Sequence, residues 1–214
     1  MPRKPRPPEE VAAFQNRILD TALHLIVRDG FANLSMRKIA AELGTSATTI
    51  YNYYSNREEL YFMIRIRAFD MMFESMTAAT AGTKNSKEML KLAIEQFFRF
   101  GMEYPDHYDI MFLDRNVPKY LDCIGTDLEP LASREKESTL RIFRVTIQVL
   151  EDIGTASANG KKLSAKELAM RLWCDVNGVV SLYNSRLLNE VDKNPKKTIG
   201  RMAVEIYRRY SGTD

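Results

Sequence analysis

The chain has 214 residues, 45% of them hydrophobic, and a formal charge of +3, so it is long and apolar enough to build a sizeable core. No apolar run approaches the roughly 20 residues that a membrane span requires, and the start Met1-Pro2-Arg3-Lys4-Pro5 is followed by no apolar signal core. A cytoplasmic protein with no membrane partner is expected. Its two cysteines, Cys123 and Cys174, lack metal or redox spacing and read as reduced, structural thiols.

In chain order, the opening MPRKPRPP holds Arg3, Lys4 and Arg6 with no acid, and its prolines forbid a helix. Residues 1–8 read as a basic flexible arm, laid along phosphates or in a minor groove, or else as a solubilising tail. A first helix is predicted from about Pro8 or Glu9 to Arg28, with Phe14, Ile18, Ala22, Leu25 and Ile26 on one side and Gly30 at its end. From Ser35 to Leu60 the pattern is two short helices around a glycine turn, then the start of a third. Met36, Ile39, Ala40 and Leu43 recur at helical spacing, Gly44 stops that helix, and Thr45-Ser46 supplies a hydroxyl to cap the next. The capped helix, Ala47 to Tyr53, has Ile50 as its aliphatic anchor and a polar face of small residues, hydroxyls and tyrosines. Such a face suits the DNA major groove, and residues 9–54 read as a helix-turn-helix.

Ser55-Asn56-Arg57-Glu58 reads as a capping box opening a long helix to about Ala81, and Gly82-Thr83-Lys84 closes this connecting segment, 55–82. Further helices are predicted from about Ser86 to Tyr104, through DHYDIMFL, and from about Leu128 to Ile153. Another runs from a second capping box at Ser164 and Glu167 to about Val191, and the last from Pro195 to near Tyr210. GTASANGKK lies between them as a loop. No strand pattern and no internal repeat is found. The expected fold is all-α, a three-helix N-terminal head joined by a long fourth helix to a C-terminal helical ligand-binding and dimerisation bundle over 83–214.

These residues resemble the TetR family of transcriptional regulators. The resemblance is carried by Gly30, Ser35, Ile39-Ala40, Gly44, Tyr51-Asn52-Tyr53-Tyr54, Arg57 and Leu60, and it is strong over the first quarter of the chain. Arg57 stands where the family more often has Lys, which exchanges a point charge for a fork. YPDHYDIMF and the stretch from Trp173 to Gly178 resemble a C-terminal subclass with a Trp and, four residues on, His-Gly; here Asn177 replaces that histidine. The resemblance implies a homodimeric, ligand-released transcriptional repressor on a palindromic double-stranded operator. Ser46, Ala47, Thr48 and Tyr51 would meet base edges or thymine methyls, while Thr49, Tyr53 and Arg57 would hold phosphates. Arg37 would make a bidentate guanine contact, Tyr54 would face the core, and Lys38 would face phosphate or solvent.

The C-terminal half is dense in soft and aromatic side chains. Phe69, Met72, Phe73, Met76, Phe97, Phe98, Tyr108, Met111, Phe143 and Trp173 read as core or as the lining of a pocket for a small hydrophobic or aromatic effector, with His107, Tyr108 and Asn177 as its polar groups. Leu168, Leu172, Val176, Val179 and Val180, with Ile199, Met202, Ala203, Ile206 and Tyr210, are expected to form a four-helix dimer interface. No paired-cysteine metal spacing, glycine-rich phosphate loop or nucleophile elbow occurs, so no cofactor and no enzymatic activity are expected. The alternative is a helical small-molecule-binding dimer with a vestigial DNA-binding head.

Overall fold

The computed structural model describes residues 7–113, 117–154, 157–158 and 161–212. They form ten α-helices and two short 3-10 turns, and the fold is all-α. The one ladder among the described residues is a two-residue antiparallel pair, Ser157–Ala158 with Lys161–Lys162, inside the stretch expected to be a plain loop. Arg3, Lys4 and Arg6 of the basic arm lie outside the described residues. No helix among those described is long and apolar enough to cross a membrane.

Local chemistry sets the helix ends. α1 (Pro8–Asp29) has proline at its first position, Glu9 and Glu10 in its first turn, and stops at Gly30, whose φ of 81° glycine takes without strain. Ser35 Oγ accepts from Lys38 N–H at 3.2 Å to cap α2 (Met36–Glu42), and Ser46 Oγ accepts from Thr49 N–H at 3.1 Å to cap α3 (Ala47–Tyr51). α4 (Arg57–Thr80) begins one residue later than a capping box at Ser55 and Glu58 would place it. Asn56 Oδ1 accepts from Glu59 N–H at 2.7 Å, and the Glu59 carboxylate accepts from Ser55 N–H at 2.6 Å. The pairs Ser55-Asn56 and Glu58-Glu59 offer two registers of one motif, and the register adopted leaves Glu58 to pair with Arg57 at 3.0 Å.

Next come α5 (Ser86–Glu103), α6 (Pro105–Phe112), α7 (Glu129–Ile153), α8 (Ala165–Asn184), α9 (Leu187–Val191) and α10 (Pro195–Ser211). α8 opens on the expected capping box of Ser164 and Glu167. It ends at Asn184 rather than near Val191, because Arg186 takes a left-handed φ of 64° and breaks the helix.

The helices pack as two compact units that cut across the segments drawn from the sequence. One comprises residues up to Ala68 with Asp106–Glu137; the other comprises Phe69–Pro105 with the residues from Ser138 onward. In the first unit Ile18, Ala22, Leu25, Ile39, Ile50, Leu60 and Ile64 are buried around the helix-turn-helix, and Ile110 of α6 joins the same core. Cys123 is buried with Phe62 and Ala132. Arg65 of α4 is a buried tie in this unit. Its guanidinium donates to Glu135 of α7 at 2.7 and 2.8 Å, and to the Ile110 and Met111 carbonyls at 2.6 and 2.8 Å. Those carbonyls end α6, where a helix lacks internal donors, so one side chain fastens three helices.

In the second unit α10 packs on α5 and α8. Arg209 and Tyr210 Oη both donate to the Asp175 carboxylate at 2.9 Å. Leu168, Leu172, Val176, Val179, Val180, Ile199, Ala203, Ile206 and Tyr210, expected to pair two copies, are instead buried within one copy. An amphipathic stripe cannot say whether its partner lies in the same chain. The outward side of α8 carries Met170, Cys174, Gly178 and Leu182 at four-residue spacing, and α10 adds Gly200 and Val204. Cys174 is therefore exposed rather than a buried structural thiol.

Candidate nucleic-acid interface and effector cavity

Gly44, at φ 63°, turns the chain between α2 and α3. α3 has only five residues, too few for a stable isolated helix, and Ile50, fully buried, pins it to the core. That anchor turns Ser46, Thr48 and Tyr51 outward, Tyr51 being 56% exposed, while Ala47 and Thr49 are half-buried. Ser46 and Thr49 share a hydrogen bond between their hydroxyls at 2.9 Å, so the cap is also part of the outward face. Arg37 projects from α2 into solvent. Together these groups expose a cation, hydroxyls, a methyl and a phenol, chemistry able to read base edges and hold phosphates.

The rings of the other two tyrosines pack against the head. Tyr54 is buried, which pushes its pKa up to about 12, and Tyr53 packs on Phe14 with ring centroids 5.2 Å apart. Arg57 is tied internally as well: it donates to the Ala32 carbonyl at 3.0 Å, pairs with Glu58 and lies 5.1 Å over the Phe31 ring. It thus locks the start of α4 onto the turn after α1. Lys38 stands 3.9 Å from Asp29. Arg57→Ala is therefore expected to lower the thermal midpoint of the protein as well as its DNA affinity. Removing a phosphate contact alone would flatten the salt slope by about 1 with the midpoint unchanged. Comparing the melting curve with the salt dependence of binding separates the two roles.

The second unit encloses a cavity of about 230 Å³ between α4, α5, α7 and α8. Phe73 and Met76 of α4, Ile94 and Phe97 of α5, Phe143 of α7 and Leu172 and Trp173 of α8 form much of its wall. Phe143 and Trp173 stack, with centroids 5.1 Å apart and planes at 22°. Thr77, Thr80 and Thr146 supply hydroxyls, and no charged side chain lines the cavity among the described residues. Arg141 is outside the lining, 3.8 Å from the Phe73 centroid and paired with Asp70 at 2.9 Å.

Residues 18–64 match the family described as bacterial regulatory proteins, tetR family, and residues 90–206 match the tetracyclin repressor-like C-terminal domain. The chain belongs to the TetR family. It is a DNA-binding transcriptional regulator of that type. Among its relatives, an uncharacterised HTH-type transcriptional regulator of Mycobacterium tuberculosis is 22% identical over 194 residues, 90% of this chain and 81% of that one. The HTH-type transcriptional activator FasR of Mycolicibacterium smegmatis is 26% identical over 98 residues, 46% of this chain and 45% of that one. The solved structure of the fatty acid degradation regulator FadR from Bacillus halodurans superposes with a TM-score of 0.67 at 15% identity, covering 95% of this chain and 97% of that one.

Within this TetR-family fold the residues expected to contact an effector fall into four groups. Phe73, Met76, Phe97, Phe143 and Trp173 line the cavity. Phe69, Met72 and Phe98 are buried in the second unit but do not form its wall. His107, Tyr108 and Met111 belong to α6 and the first unit, so they take no part in this cavity. Burial and the Arg67 guanidinium hold the His107 pKa below its usual value. Asn177, expected to hydrogen-bond an effector, donates to the Trp173 carbonyl at 2.8 Å on its own helix. The threonines were missed because a hydroxyl beside an apolar stripe reads as its boundary, Ile94 because an aliphatic residue on such a stripe reads as core, and Leu172 and Val176 because their stripe was assigned to the dimer interface.

Proposed function

We propose that this TetR-family regulator is a repressor that binds a palindromic operator as a homodimer and is released by a hydrocarbon-rich effector. The observation that carries the reading is one helix with two duties: α4 supplies Arg57, tied to the head, and Phe73, Met76, Thr77 and Thr80 in the cavity wall. An effector that binds the non-DNA conformation more tightly can act on the head through that helix. The apolar wall favours an acyl or aromatic molecule, and the likeness to a fatty acid degradation regulator supports an acyl chain. The exposed stripe of Met170, Cys174, Gly178 and Leu182, with Gly200 and Val204, is the proposed dimer face; its glycines allow close helix approach. The protein would act in the cytoplasm, where its operator lies. Half-site centres should lie about one helical turn apart, or a multiple of it.

Selection of bound DNA fragments tests the operator, and a reporter gene under it tests the sign of control. Expression rising on deletion of the regulator supports repression, and expression falling makes it an activator. Arg37→Ala is expected to cost about 1–3 kcal/mol of binding and to relax preference at one base pair. An unchanged base preference would remove Arg37 from the reading face.

A further inference from the structure

We infer that the cavity of the second unit selects an uncharged apolar molecule, or the neutral end of one, and rejects a free carboxylate. The inference rests on the effector reading proposed above and specifies the chemistry of that effector. It follows from which hydrogen-bonding groups the wall has left to offer. Thr77 Oγ1 donates to the Phe73 carbonyl at 2.8 Å, Thr80 Oγ1 to the Met76 carbonyl at 2.9 Å, and Thr146 Oγ1 to the Ile142 carbonyl at 2.9 Å. Each hydroxyl spends its single proton on its own helix and keeps lone pairs. The wall therefore accepts hydrogen bonds readily, and apart from the threonines the one lining side chain with an N–H, Trp173, is a neutral indole.

A carboxylate is an acceptor with two oxygens and no proton to give. Here it would meet three more acceptors and no cation. Arg141, against the Phe73 ring, is not part of the lining and pairs one guanidinium nitrogen with Asp70, although its Nε is a buried donor with no partner among the described residues. An ion buried without a partner costs so much that the group takes up a proton instead. The cavity therefore admits an acid only as its neutral form, and the apparent affinity for the acid falls about tenfold for each pH unit above its pKa, which lies near 4 to 5 for an ordinary carboxyl. An ester, thioester or alcohol escapes this penalty, and an alcohol can donate to a threonine oxygen.

Size narrows the class further. The 230 Å³ here exceeds the roughly 150 Å³ of an engineered apolar cavity that holds benzene. A medium-length chain or a fused ring system therefore fits better than a single ring. Thr77 and Val145, both exposed, mark where the wall opens, so a chain too long for the cavity emerges there.

Methyl octanoate, octanol and octanoate, titrated calorimetrically into the full chain at about pH 5 and about pH 7.5, test this. Trp173, the single tryptophan of the sequence, reports optically from the cavity wall. The ester and the alcohol are expected to bind equally at both pH values and to change Trp173 emission. Octanoate should weaken by about 100-fold or more on going to the higher pH. Octanoate binding as tightly as the ester at the higher pH would overturn the selectivity and leave the effector cavity standing. Absence of binding by all three would overturn the effector reading together with it.

Discussion

The Glu135→Ala protein is expected to lose about 3–5 kcal/mol of stability, because it removes the carboxylate paired with a largely buried guanidinium. The Arg65 side chain is 13% exposed and that of Glu135 is 9% exposed, so water screens the pair little. Arg65 would keep the Ile110 and Met111 carbonyls, which carry only partial charge. The double variant Arg65→Met, Glu135→Leu should lie much closer to the wild type, since apolar groups of similar volume often replace such a pair at little cost. Urea denaturation of the single and double variants measures both. A loss below about 1 kcal/mol in Glu135→Ala, the range of an exposed pair, would mean that the tie is solvated.

Charging the outward stripe of α8 should have a different outcome. Met170→Glu combined with Leu182→Glu is expected to leave the helical content unchanged and to dissociate the proposed dimer. Operator affinity should then fall by about 10²–10⁴-fold, since two linked heads gain that much over one. Val180→Asp should instead unfold the second unit, because Val180 is 1% exposed within a single copy and an unpaired buried charge is costly. Sedimentation and circular dichroism distinguish the two. A dimer that survives Met170→Glu with Leu182→Glu would place the interface on another face.

What could be read from the sequence was what local chemistry controls. Ser35, Gly44, Ser46 and the Ser164–Glu167 box act within one helical turn, and each stands where its residue type leads one to expect. Ser55 against Asn56 was ambiguous because both can cap a helix and both have a glutamate three residues on. Arg186 gave no signal, since neither glycine nor proline marks the end of α8. Partners distant in sequence were the least legible. Arg65 and Glu135, seventy positions apart, carry no local pattern that would pair them. The aromatic density around the cavity was visible, yet helical periodicity assigns residues to an inward face without saying whether that face meets atoms or empty space. Hence Phe73 and Phe97 were grouped with Phe69 and Phe98, although only the first two line the cavity.

The brevity of α3 has a consequence for how binding strength and discrimination divide. Five residues held by one buried aliphatic and a serine cap lose their backbone freedom when the head folds, so little of it remains to be lost when DNA arrives. Ile50 can touch no base from its buried position, yet it sets the positions of every group on α3 that would. Loosening it would let those groups wander relative to the base edges, while charges held on α1 and α2 would still find the phosphate backbone. Fidelity would decay before adhesion does, and the residue that guards it would show no contact with the operator.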